Sequence, residues 1–214
     1  MGSVTIGVDI GQKRDPTAIA VVELDRRQRT ESVEVAVIGG TRLLEPRTHT
    51  DEHYMVRHLE RLPLMTSYPD VAKRVASVAA GVKERTGESA VLYVDATGVG
   101  TPIVDVLRAG GVAATLWPVY FTHGDRRTVE HGEVKLGKAW LVSRLQALLQ
   151  SEHLHLPKTD EAKALAKELL DYEMRVDEDA NDRYGAFRTG THDDLVTALG
   201  LATQPVQSWL WAVV

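Results

Sequence analysis

The residues best suited to chemistry fall at three places in the 214-residue chain, and all three are acidic. Asp9 ends the apolar run Val4-Thr5-Ile6-Gly7-Val8, Asp95 ends Ala90-Val91-Leu92-Tyr93-Val94, and His192-Asp193-Asp194 opens an apolar C-terminal segment. A carboxylate at the end of a buried strand has left the hydrogen-bonded ladder but is still aimed by it. Three converging element ends would therefore form an oxygen-rich cage for hard cations. The chemistry these residue types allow is that of a metal-dependent enzyme. Each acid also has a structural alternative: Asp9 as a turn former, Asp95 as part of the glycine-rich turn Ala96-Thr97-Gly98-Val99-Gly100, and Asp193 as the N-cap of a last helix.

The elements that must position these acids follow from the hydrophobic pattern. Residues 4–8 and 17–24 are short β-branched runs separated by the turn chemistry of Gly11-Gln12-Lys13-Arg14-Asp15-Pro16, which predicts a hairpin. Residues 32–38 alternate polar and apolar and close on Gly39-Gly40, predicting a third antiparallel strand. A polar connector is expected over 41–69. A helix is predicted over 70–82, with Asp70 as N-cap and apolar residues at 71, 75, 78, 79 and 82. Strand and helix then alternate: a strand over 91–94, a helix over 101–109, a strand over 113–119 and an amphipathic helix over 135–150 bearing Leu136, Trp140, Leu141, Leu145 and Leu148. This alternation implies parallel strands with helical crossovers. A short strand at 154–156, a helix over 159–170, a hairpin pairing 172–176 with 184–188 and a last helix over 193–203 complete the reading.

Composition narrows the function classes. The length suits one compact domain with a substantial core. Lys and Arg number 25 against 30 Asp and Glu, so any nucleic-acid contact must come from local basic patches. With no cysteine, disulfides, thiolate zinc sites and cysteine nucleophiles are excluded. No apolar stretch approaches the roughly 20 residues that span a bilayer, so a soluble, cytoplasmic protein is expected. Residues 1–3 read as a cloning remnant.

The order of elements, an antiparallel meander followed by parallel strands and a C-terminal helix bearing acids, resembles the ribonuclease H-like fold, with strand order 3-2-1-4-5. The resemblance becomes specific in Gly7-Val8-Asp9-Ile10-Gly11 with Asp15-Pro16-Thr17-Ala18, in Tyr93-Val94-Asp95-Ala96-Thr97-Gly98-Val99-Gly100, and in His192-Asp193-Asp194-Leu195-Val196-Thr197-Ala198-Leu199. Together these are similar to the nuclease domain of phage large terminases, which cut concatemeric viral DNA during genome packaging, and the likeness spans nearly the whole chain. It implies a single nuclease domain over 1–214 holding two divalent cations, Mg2+ or Mn2+, on Asp9, Asp95, Asp193 and Asp194. In phosphodiester hydrolysis two such ions sit about 3.5–4 Å apart. Asp9 is the expected bridging ligand and Asp194 the preferred direct ligand of its pair, because successive helical residues point in different directions. Asp15 and His192 are outer candidates. The resemblance also implies double-stranded DNA, a terminase ATPase domain, a small terminase subunit and the portal as partners, in the cytoplasm of an infected bacterial host.

Substrate contact is expected from the segment 120–135 and the helix start after it, where related nucleases place a β-hairpin. Arg126, Arg127, Lys135 and Lys138 are candidate phosphate contacts there, and Lys13 with Arg14 forms a second basic pair beside the first acid. His49, His53 and His58 provide no convincing zinc set and fit a surface connector. No Gly-x-x-x-x-Gly-Lys-Ser/Thr phosphate loop occurs, so the nuclease portion alone, without the ATPase motor, is expected. Two competitors are kept. One is a Holliday-junction-resolvase-like nuclease with the same fold and metal chemistry. The other, from a different class, is an actin-like or sugar-kinase-like ATPase, suggested by Asp9-Ile10-Gly11 and Asp95-Ala96-Thr97-Gly98. A non-catalytic ribonuclease H-like module fits poorly with intact acids.

Overall fold

The computed structural model describes residues 2–11, 13, 15–38, 41–171, 173–176, 182–185 and 193–205. The β-branched run at the start forms β1 (Val4–Asp9), which pairs antiparallel with β2 (Ala18–Ile38) and parallel with β4 (Ala90–Asp95). Strand β2 pairs with β3 (Thr41–Arg61), and β4 with β5 (Ala114–Thr122). The hairpin of β6 (Arg127–Glu130) and β7 (Glu133–Gly137) extends the sheet beyond β5, while β8 (Leu154–His155) borders β3. The resulting eight-stranded order, β6-β7-β5-β4-β1-β2-β3-β8, contains the predicted 3-2-1-4-5 at its centre. This is the mixed sheet of a ribonuclease H-like fold.

Both faces are covered, as expected for a sheet whose central strands are apolar on each side. Helices α1 (Tyr68–Thr86) and α2 (Thr101–Ala109) pack on one face against Ile6, Val8, Ile19, Leu92 and Val94. On the other face, α3 (Lys138–Gln150), α4 (Asp160–Asp171) and α5 (Asp194–Ala202) pack against Ala18, Ala20, Tyr93 and Val119. Strand alternation therefore assigns Gly7 and Asp9 to the α5 face. The contact there is close. A Cβ on Gly7 would lie 2.1 Å from the Ala198 carbonyl oxygen and 2.4 Å from the Ala202 nitrogen, so α5 rests on β1 backbone to backbone. A separate two-stranded hairpin joins β9 (Glu173–Val176) to β10 (Asp182–Gly185). Among the described residues no helix is long and apolar enough to cross a membrane.

Four local expectations are corrected. Residues 32–38 are not a separate third strand; they continue β2 to Ile38. The true third strand lies inside the supposed connector, where Thr41–Arg61 pairs with β2 along its length. Beyond Leu24 the two strands form an arm whose residues are mostly exposed, so no burial period marked them as strands. Residues 135–137 belong to β7 and not to the following helix, with Leu136 buried between Phe121 and Arg127 as its sheet partners. The N-cap of α1 is Ser67, not Asp70; its hydroxyl accepts from the Asp70 N–H and donates to the Asp70 carboxylate at 2.6 Å, a reciprocal capping pair.

Candidate metal centre

The sheet register brings two of the acids together. Val8 pairs with Val94, and one residue beyond that pair come Asp9 and Asp95, each the last residue of its strand. The third side chain arrives from above the sheet. Asp194 is the first residue of α5 and is 2% exposed, and its helix is held onto β1 by the contact at Gly7. Asp193 precedes it at the N-cap position, partly buried, with no hydrogen bond from its side chain to the helix end.

The electrostatics follow from this crowding. Burial pushes the Asp9 carboxyl well above the ordinary carboxylate range, and the charges of Asp95, Asp194 and Asp193 push it further, in that order. Lys138, the first residue of α3, opposes them. Asp95 is also raised, chiefly by burial, while the Thr97 backbone N–H donating to its Oδ1 at 2.8 Å works the other way. The turn role foreseen for Asp95 therefore coexists with its place beside Asp9. A Cβ on Gly100 would sit 1.8 Å from the Asp95 carbonyl oxygen, so that turn folds back against the strand end only because residue 100 lacks a side chain.

A second group of charges meets Asp194 from behind. Arg61, the last residue of β3, pairs across the sheet with Ala18, which pairs with Asp9, so Arg61 and Asp9 lie in one cross-strand row. Its Nε lies 3.5 Å from Asp194 Oδ2, and its guanidinium pairs with Glu168 on α4. Glu168 is 6% exposed, and its Oε2 accepts from the Leu195 and Val196 N–H groups at 3.0 and 3.2 Å. The first turn of α5 is thus capped by a residue from another helix. Neither Arg61 nor Glu168 stood out in the sequence. A signal existed for Glu168, which shares the inward face of α4 with Ala162 and Leu165, where an apolar residue is the norm.

The carboxylates provide the all-oxygen donor set that suits Mg2+ or Mn2+. The crowding that raises Asp9 is what a bound cation would relieve, so the residues fit such an ion chemically. Among the described residues no three Asp, Glu or His side chains are closed together around a cation-sized space.

The other candidates divide. Asp15 stands exposed in the loop after β1, where the Thr17 hydroxyl bonds both the N–H and the carbonyl of Gly11. Lys13 and Arg126 are exposed, and Lys135 is exposed while pairing with Glu130 at 3.1 Å. Lys138 lies with its Nζ 5.5 Å from the Phe121 ring centre and within reach of the acids' charges. Arg127 departs from its expected role as a phosphate contact. It points inward, its Nε donating to the Oε1 of the buried Gln204 at 2.9 Å, which takes it away from a phosphate. Arg14 and His192 lie outside the described residues. The histidines do not form the 49/53/58 set: His49 pairs with Glu31, His58 with Glu60, and His53 meets His155 at 2.9 Å. A groove of about 680 Å³, lined by Glu23, Arg57, Arg74 and Arg85, lies towards the Val4 end of β1, away from the acids.

No protein-family model matches the chain, and no curated protein matches it. Solved structures do. The large terminase nuclease from thermophilic phage G20c with bound magnesium is 23% identical, with a TM-score of 0.58 over 94% of this chain and 80% of that one. The human cytomegalovirus terminase nuclease domain is 15% identical, TM-score 0.56, over 94% and 82%. The large terminase nuclease domain from bacteriophage SPP1 with bound Mn is 12% identical, TM-score 0.51, over 94% and 84%. An acid at the end of each central parallel strand, a third at the head of a helix laid across them, and this overall likeness together give the chain the fold of the terminase nuclease domains.

Proposed function

We propose that the chain is a divalent-metal-dependent endodeoxyribonuclease that hydrolyses phosphodiester bonds in double-stranded DNA and serves as the nuclease domain of a terminase large subunit. The observation that carries this reading is the convergence of Asp9, Asp95 and Asp194, desolvated and of one sign, on a fold otherwise seen in terminase nucleases. A site with that much negative charge costs stability, and an incoming cation is what would offset the cost. Asp9, Asp95 and Asp194 would hold the ions, with Asp193 as an additional ligand. A pair of bound Mg2+ or Mn2+ ions would supply a nucleophile at neutral pH and charge stabilisation for the departing 3′ oxygen.

The chain's own residues would do the rest. Asp9, raised by burial and by the charges of Asp95, Asp194 and Asp193 together, is the residue that would bridge the ions. Lys138 holds positive charge beside Asp9 and Asp95 at the mouth of the site, where it would meet a phosphate. Lys13, Arg126 and Lys135 are exposed cations for further backbone contact. Phosphate contacts of this kind position DNA without reading its sequence, so cutting with little sequence preference is expected.

The test is incubation of the purified protein with supercoiled plasmid in Mn2+, Mg2+ or EDTA, beside Asp95→Ala and Asp194→Ala. Cutting that requires a cation and is lost in both variants is expected. Undiminished cutting by both variants would sink the assignment. Preference for branched over linear DNA would move the reading to a resolvase. ATP hydrolysis without cutting would favour the kinase-like alternative, which has no use for a buried carboxylate at the head of the last helix.

A further inference from the structure

The head of α5 poses a problem of competing demands. The first N–H groups of a helix need acceptors, and an Asp at the N-cap usually provides one by folding its carboxylate back over the helix end. Were Asp193 to do so, that carboxylate would be withdrawn from the site. In this chain Asp193 makes no such bond, and Glu168 on α4 accepts from both Leu195 and Val196 instead. The capping duty has been moved to a residue on another helix.

Glu168 and Asp194 are both nearly buried, so two neighbouring carboxylates at the same helix end need a counter-charge. Arg61 is that charge: it pairs with Glu168 and reaches Asp194 at 3.5 Å, from a backbone position in the same cross-strand row as Asp9. A guanidinium presents a fixed fork of donors and does not lose its proton, so it serves two carboxylates at once.

We propose that Glu168 and Arg61 are the positioning residues of the acid site, Glu168 capping α5 so that Asp193 and Asp194 remain available, and Arg61 acting as a built-in counter-cation that occupies Asp194 until a divalent ion takes it over. The inference rests on the nuclease reading for its metal half, but its capping half does not. Removing Arg61 and removing Glu168 should therefore act in opposite directions on cation binding. Without the guanidinium, the pull of Arg61 on Asp194 is gone and the site is more negative. Without the Glu168 carboxylate, the helix end is uncapped and draws the Asp193 carboxylate onto it, away from the site.

The experiment uses the full chain, Arg61→Gln, Glu168→Ala and Glu168→Gln, with Mn2+ titrated calorimetrically and amide hydrogen exchange read in EDTA. For Glu168→Ala the Mn2+ dissociation constant should rise about tenfold or more, the usual scale for a residue that orients a metal ligand. Glu168→Gln keeps an acceptor oxygen for the helix and should recover part of that loss. Arg61→Gln should bind Mn2+ severalfold more tightly while melting at a lower temperature without metal. In EDTA, exchange at the Leu195 and Val196 amides should accelerate in Glu168→Ala and stay slow in Glu168→Gln. Weaker Mn2+ binding in Arg61→Gln would overturn the counter-cation role. Unchanged exchange and unchanged Mn2+ affinity in Glu168→Ala would overturn the capping role. Absence of Mn2+ binding by the unmodified chain would remove the nuclease reading and the metal half together, while the exchange result would still decide the capping.

Discussion

Strand β2 passes through two environments, and its charges behave oppositely to those at the end of β1. Its first residues, Ala18 to Leu24, are buried in the sheet, and from Asp25 onward it forms with β3 an exposed arm of opposite charges in pairs. Arg26 meets Glu52 at 3.1 Å and Arg42 meets Glu34 at 3.3 Å, every partner at least 43% exposed. At the end of β1, Asp9, Asp95 and Asp194 share one sign and little water, with Lys138 and Arg61 as the nearby cations. Exposed pairs contribute about 0–1 kcal/mol each, because water screens them whether or not they meet. Buried like charges cost several times that. Charge is thus matched where it matters little for stability and mismatched where it matters most, the arrangement expected when the mismatch serves binding.

The largest effect that would sharpen this contrast comes from neutralising its centre. Asp9→Asn should reduce metal-dependent DNA cutting about a thousandfold, since several kcal/mol of charge stabilisation depends on holding the ions. The same substitution should raise the melting temperature measured in EDTA by a few degrees, because about 1 kcal/mol moves a chain of this size by roughly 2–4 °C. A variant that is both inactive and less stable would break the comparison.

Next in size is a pH effect. The folded-state pKa of Asp9 is raised, so the folded protein binds more protons than the unfolded chain between the ordinary carboxylate range, near 4, and that raised value. Stability without metal should therefore fall as pH rises through this window, with a slope up to about 1.4 kcal/mol per unit for one proton. Asp95 adds in the same direction. Glu60, lowered by the Arg74 bond, has the opposite sign, but its stabilisation is lost only on acidification below the ordinary range and so lies outside the window. Urea unfolding in EDTA between pH 5 and 8 measures the slope, and saturating Mn2+ should abolish it. His53, lowered chiefly by burial, pushes the other way below its ordinary range in any variant, so a slope left unchanged by Asp9→Asn would contradict the charge crowding.

The smallest effect belongs to the arm. Arg26→Ala should change unfolding free energy by less than about 0.5 kcal/mol, as for most exposed positions. A loss above about 1 kcal/mol would mean that the arm's ion pairs are more than solvated decoration.

The same contrast explains what could be read in advance. Strands β1 and β4, helix α2 and the acids at their ends were legible because burial imposes a run or a period on residue choice. The arm was not, because residues 25–36 and 42–53 are held by cross-strand pairing with both faces largely wet, and pairing leaves no periodic trace. The end of β7, residues 135–137, reads as the start of the next helix because Leu136 fits either period over so short a stretch. Arg61 and Glu168 are not legible in the same way, because charged residues beside apolar ones acquire a role only through the contact between β3, α4 and α5.

The backbone contact at Gly7 has a consequence for which acid the head of α5 can carry. Every residue of that nine-residue helix is buried, and its underside already touches the strand that ends in Asp9. The helix therefore cannot retreat to make room for a longer side chain. A glutamate in place of Asp194 would add one methylene to a side chain that is already 2% exposed, and close-packed interiors register a change of that size. The reach of the third acid is set by the core beneath it, so aspartate at that position is a matter of length as much as of charge.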